Sequence, residues 1–196
     1  MNSMVQHPSK IIFLTCDAFG ILPAISKLSP GQAMYHFISG YTAKVAGTER
    51  GVTEPQATFS PCYGGPFLTL HPLEYAKLLK DKIDQHNVPI YLVNTGWIGG
   101  EATSGAKRIS IKFTRQMITS ILNGNIENSQ FSKDSIFNLN IPISIDGIPS
   151  KVLNPRDSWE DKALYDLKAS ELADAFQQNF NNYGDSVVYL KEFGPQ

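Results

Sequence analysis

Two short apolar runs stand out along the 196 residues: "KIIFLTC" (10–16) and "VPIYLVN" (88–94). Neither alternates with polar positions, so each predicts a buried strand, the first ending in the turn sequence "DAFG". Between and after them the period changes to that of a helix. "SPGQAMYHFISGYTAKV" (29–45) opens with Ser29 as N-cap and Pro30 at the first helical position, and sets Met34, Phe37, Ile38 and Tyr41 on one face. "HPLEYAKLLKDKIDQHN" (71–87) does the same with Leu73, Ala76, Leu79 and Ile83. "TRQMITSILNG" (114–124) predicts a helix stopped by Gly124, and "SWEDKALYDLKASELADAFQQNFNNYG" (158–184) a long one capped by Ser158 and stopped by Gly184. "SIFNLNIPISI" (135–145) reads as a strand pair. The segment 47–66 is dense in Gly and Pro, which break both periods, and predicts a long loop.

Strands alternating with helices imply an α/β layer architecture, but the strands are few for a complete doubly wound sheet. The chain divides into an extension over 1–9, a lobe over 10–184 and a tail over 185–196. Both strands are apolar on each face, so the expectation is that part of their cover lies outside this chain, leaving an unpaired edge and an apolar face that favour association.

Charge narrows the partners. Seventeen Lys and Arg against eighteen Asp and Glu, a net charge of −1, is not the basic balance of a general nucleic-acid surface. "MNSMVQHPSK" carries no apolar signal segment, and no run reaches membrane-spanning length. Cys16 and Cys62 form neither a secreted disulfide framework nor a zinc site, and buried thiols in a reduced cytoplasm are expected.

The most suggestive chemistry is "NTGWIGGEATSGAKRISIK" (94–112), Gly-rich and then basic. Gly100 and Gly105 have Walker A spacing, yet Ala106 stands where the lysine belongs, and Lys107 is followed by Arg108 rather than a hydroxyl. A phosphate loop also opens a helix, whereas "RISIKFT" alternates and predicts strand. It is not a Walker A loop. Asp17 after the first strand suits either a turn cap or a metal or substrate carboxylate. Trp97 fits core packing or a base-stacking platform, and His36 a packed or surface role. His7, His71 and His86 have no ligand spacing.

Four stretches carry a family pattern: "IIFLTCDAFGILPAISKLSPGQAMYHFISGYTAKVAGTERGVTEP", "TFSPCYGGPFLTLHPLEYAKLL", "YLVNTGWIGG" and "KRISIKFTR". From Lys10 to Tyr183 the chain resembles the C-terminal portion of ATP-dependent phosphoenolpyruvate carboxykinase, and "GTERGVTEP" followed by "NTGWIGG…KRISIK" is the specific pair. The resemblance implies part of a nucleotide-binding lobe with a mixed sheet and flanking helices. It implies conversion of oxaloacetate and ATP to phosphoenolpyruvate, ADP and CO2, with manganese at the transferring phosphate and magnesium on the nucleotide. It also implies that the P-loop, the metal ligands and the groups holding the organic acid precede this segment and lie outside it, so that the missing N-terminal part is the expected partner. Within the chain it implies ATP contacts from Arg108, Ile109 and Thr114, and no metal ligand. Arg108 would stack on a purine or reach a phosphate, Ile109 would supply an apolar wall, and the Thr114 hydroxyl would bond base or ribose. By residue type alone Arg108 also suits a solvated strand end, and Thr114 the N-cap of the next helix. The loop from Gly47, Thr48, Glu49, Arg50 and Gly51 through Glu54 matches the family's mobile lid, which would keep water from a reactive enolate.

Overall fold

A computed structural model describes residues 7–44 and 50–196. It is an α/β structure built on one mixed five-stranded sheet. In chain order its elements are β1 (Ile11–Thr15), β2 (Ile25–Leu28), α1 (Pro30–Ser39), β3 (Tyr41–Lys44), β4 (Gln56–Phe59), α2 (Pro72–His86) and β5 (Ile90–Asn94). There follow β6 (Trp97–Ile98), β7 (Lys107–Arg108), α3 (Ile111–Leu122), β8 (Phe131–Lys133), β9 (Asn140–Pro142), α4 (Ser150–Leu153), α5 (Pro155–Ser158) and α6 (Lys162–Asn181).

The sheet runs β1-β5-β2-β9-β8, with β1 and β5 parallel and every other pair antiparallel. β5 has a neighbour on each side and is buried along its whole length. Its pleat sends Ile90 and Leu92 to one face and Tyr91 and Val93 to the other. The first face packs under α1, α2 and α6 through Met34, Ile38, Leu73, Ile83, Phe176 and Phe180. The second packs against Met117 and Ile121 of α3 and the isoleucines that follow it. Both faces of the central strand are therefore covered from within this chain, contrary to the expectation that an apolar face is left bare.

What is open is the edge. Among the described residues β1 has only β5 beside it, and its burial is partial, with Leu14 56% exposed. The Ile11 amide donates to the Pro89 carbonyl just before β5, and the Thr15 carbonyl accepts from the Thr95 amide just after it, so the main-chain groups of Ile12 and Leu14 turn outward. We expect the chain to elute as a concentration-dependent dimer in size-exclusion chromatography with light scattering, and Leu14→Lys to shift it to monomer by charging the edge. Monomeric elution of the unaltered chain at every concentration would rule out edge pairing.

Several predicted boundaries move, each for a local reason. α1 begins as expected, because Ser29 accepts from the Gln32 amide while Gln32 Oε1 accepts from the Ser29 amide, but it ends at Ser39. Gly40 takes φ +53°, and a Cβ there would lie 1.7 Å from the Ser60 carbonyl oxygen, so the chain turns into β3 rather than extending the helix to 45. The predicted loop 47–66 contains β4, which pairs with β3 from Tyr41↔Phe59 to Lys44↔Gln56. α2 is capped by the His71 ring and closed by Asn87 in the left-handed region. The predicted helix 158–184 divides: Ser158 closes α5, and Asp161 caps α6 by accepting from the Ala163 and Leu164 amides. The strand pair expected within 135–145 is β8 with β9, so its first strand lies earlier. After α6, Asp185–Phe193 forms a 3-10 helix whose Phe193 ring fills the space beside Gly31. Among the described residues no helix is long and apolar enough to cross a membrane, and both cysteines are free.

Candidate nucleotide cleft

The site is built on the turn that leaves β5. Asn94, fully buried, accepts from the Asp17 and Gly96 amides and donates to the Leu22 carbonyl. Asp17, also fully buried, accepts from the Phe19, Ile21 and Leu22 amides and from the Tyr41 hydroxyl at 2.6–3.0 Å. This is the turn-capping role that its place in the sequence allowed. Burial pushes its carboxyl above the usual carboxylate range, and the donors around it pull the other way. The Trp97 amide donates to the Asp17 carbonyl at 2.9 Å. Gly96 sits so close beneath that a Cβ would lie 2.1 Å from that same oxygen, which is why no larger residue fits.

From this floor β6 and β7 rise as a short antiparallel pair with Trp97 opposite Arg108. The Arg108 guanidinium lies 5.1 Å from the Trp97 ring centre, its Nε donates to the Thr95 carbonyl at 3.1 Å, and its Nη2 approaches Cys16 Sγ at 3.6 Å. Cys16 thus has a basic neighbour that the sequence did not place beside it. Burial nevertheless raises the thiol's pKa, with Arg108 acting against that rise.

The chain then enters α3 sooner than its alternating pattern predicts. The strand of "RISIK" is confined to Lys107–Arg108, and Ser110 caps the helix by accepting from the Phe113 amide at 3.2 Å. Thr114, which by residue type suited the N-cap, lies one turn inside, where its hydroxyl donates to the Ser110 carbonyl at 3.3 Å. At this junction is a cleft of about 500 Å³ lined by Thr95, Arg108, Ile109, Ser110, Ile111 and Thr114. Arg108, Ile109 and Thr114, singled out from the sequence, therefore share one cleft. Ile109 lines the cleft but is only 6% exposed, its side chain packed largely into the core under α3. The apolar surface here is Ile111, 71% exposed. Its signal is legible in the sequence, since it falls off the helical face marked by Phe113, Met117 and Ile121.

Of the predicted lid, Gly47, Thr48 and Glu49 lie outside the described residues, while Arg50 and Gly51 are exposed at a turn. The loop joins β3 to β4, and Ala43 of β3 packs with Cys16, Ala18 and Trp97 next to the cleft. His36 is buried in the core and His71 caps α2. No cluster of three or more His, Cys, Asp or Glu suited to a metal occurs among the described residues.

A family model described as phosphoenolpyruvate carboxykinase, of the ATP type, matches residues 1–151. The chain belongs to the ATP-dependent phosphoenolpyruvate carboxykinase family. It is 54% identical over 190 residues to the phosphoenolpyruvate carboxykinase (ATP) of Caldanaerobacter subterraneus subsp. tengcongensis, covering 97% of this chain. It is 51% identical over 192 residues to that of Staphylococcus aureus strain Newman, covering 98%. The chain spans 36% of the length of each of these carboxykinases.

Proposed function

We propose that this chain forms the nucleoside end of a carboxykinase active site that decarboxylates oxaloacetate and transfers the ATP γ-phosphoryl group to the resulting enolate. The observation that carries this reading is the meeting of Arg108, Ile111 and Thr114 around one cleft at the start of α3. A purine ring offers two flat faces and a polar edge. The Arg108 guanidinium can cover a face or reach a phosphate, Ile111 packs against the ring, and the Thr114 hydroxyl bonds its edge or the ribose. Holding the nucleoside fixes where its phosphates lie, which matters because phosphoryl transfer is governed by positioning and charge neutralisation. In this reading the phosphate-binding loop, the divalent metals (manganese and magnesium in the family) and the oxaloacetate contacts come from the part of the carboxykinase fold outside this chain. The loop between β3 and β4, with Arg50 and Gly51, closes over the site and keeps water from the enolate until it is phosphorylated.

Equilibrium dialysis of the 196-residue chain against ATP tests the assignment. Arg108→Ala is expected to weaken ATP binding about tenfold while leaving the circular dichroism spectrum unchanged, the loss of one charge-assisted or stacking contact. Equal affinity of the two proteins would overturn the nucleotide reading.

A further inference from the structure

Arg108 is the charged side chain lining the cleft, and a long exposed arginine ordinarily samples many rotamers. Here three contacts hold it. Nε is engaged by the Thr95 carbonyl, Nη2 approaches Cys16 Sγ, and the guanidinium carbon lies 5.1 Å from the centre of the Trp97 indole. What the side chain can still offer a ligand is the Nη1 donors and the second Nη2 hydrogen. Trp97 is not among the residues lining the cleft and is itself set from below, by its own amide on the Asp17 carbonyl and by packing with Cys16, Ala18 and Ala43.

We infer that Trp97 is a positioning residue for adenine-nucleotide affinity, acting through Arg108 and never touching the nucleotide. The inference rests on the nucleotide reading of the cleft. An arginine restrained beside an aromatic ring has lost part of its rotamer freedom before ligand arrives, so less entropy is lost on binding. The indole also limits where the guanidinium can lie beside the cleft. A leucine at position 97 would keep apolar contact with Ala18 and Ala43 but offer no π face, so Arg108 would be left with its Nε bond to Thr95 and the weaker Nη2 contact to Cys16. A phenylalanine would keep a face.

The test is a double-mutant cycle on the full chain with ATP as ligand, alongside arginine Nε–Hε resonances in ¹⁵N-labelled protein. Trp97→Leu is expected to weaken ATP about threefold to fivefold, the range of an exposed cation–π contact, and Trp97→Phe to stay within about twofold of the unaltered chain. In the Arg108→Ala background, Trp97→Leu is expected to change affinity by less than about 1.5-fold, because the effect is carried by the pair. The Arg108 Nε–Hε signal, shifted by the indole ring current, should move toward that of an exposed arginine in Trp97→Leu but not in Trp97→Phe. If Trp97→Leu costs as much with Arg108 absent as with it present, or leaves ATP binding unchanged, the positioning role is wrong while the nucleotide cleft stands. If Arg108→Ala leaves ATP binding unchanged, the cleft assignment fails and this inference with it.

Discussion

Asp17→Ala should remove about 3–5 kcal/mol of stability, read as the shift in a urea or guanidinium unfolding midpoint. The carboxylate accepts from three main-chain amides and the Tyr41 hydroxyl, and it is wholly buried. An alanine leaves those four donors without an acceptor, each costing about 1–3 kcal/mol if water cannot reach it. The effects do not sum fully, because a small cavity admits some water and the turn relaxes, so a value at the low end of that total is expected. Asp17→Asn keeps one acceptor oxygen and should cost about half as much. Its amide can donate to the Tyr41 oxygen but faces the Phe19 amide with the wrong polarity. The loss should extend to the cleft, since the Asp17 carbonyl holds the Trp97 amide and the Asp17 amide is held by Asn94. A midpoint change worth less than about 1 kcal/mol for Asp17→Ala would mean that the network is dispensable.

Stability should also fall as pH drops from 6.5 toward 4, and His36 should account for on the order of 2–3 kcal/mol of it. The ring lies wholly buried between Tyr35 and Phe176, with Nε2 lacking a hydrogen-bond partner among the described residues. Burial therefore lowers its pKa from 6.5 to about 4. With the folded value below the unfolded one, the unfolded chain takes up the proton first. The stabilisation from keeping a neutral ring is complete above pH 6.5 and is lost as pH falls toward about 4, below which both states are protonated. Each pH unit between the two pKa values corresponds to about 1.4 kcal/mol, so a drop to about pH 4.5 removes most of that difference. His36→Leu, close in volume and apolar like its surroundings, should hold stability at neutral pH and flatten the decline over the same acid range. An unchanged slope in the variant would assign the acid sensitivity to other groups.

Much of the architecture is written in short-range signals. Ser29, Pro30 and Gln32 start α1 because a capping box is made within four residues, and the apolar periods of α2 and β5 need no partner to be recognised. The family is legible too, because "GTERGVTEP" and "NTGWIGG…KRISIK" are ordered residue patterns that do not depend on how the chain packs. β2 is not legible in this way: "ILPAISKLSP" holds two prolines, two serines and a lysine and follows neither period, and it becomes a strand only by pairing with β5 and β9. The start of α3 is displaced from its predicted place for the opposite reason. Ile109 and Ile111 alternate as in a strand, but Ile109 is anchored in the core, Ser110 caps the helix and Ile111 is left at the mouth of the cleft. The sequence by itself thus determined the family, the strong helices, the two apolar strands and three residues of the cleft. Only the tertiary structure decided that both faces of β5 are covered from within, that Asp17 accepts from three amides and the Tyr41 hydroxyl, and that Trp97 and Cys16 contact Arg108. The physical reason is range: caps and periodicities are settled among residues a few positions apart, whereas Asp17 meets Asn94, and Cys16 meets Arg108, across 77 and 92 positions of chain. Bringing such groups together is the work of burying the sheet on both sides, which no local pattern records.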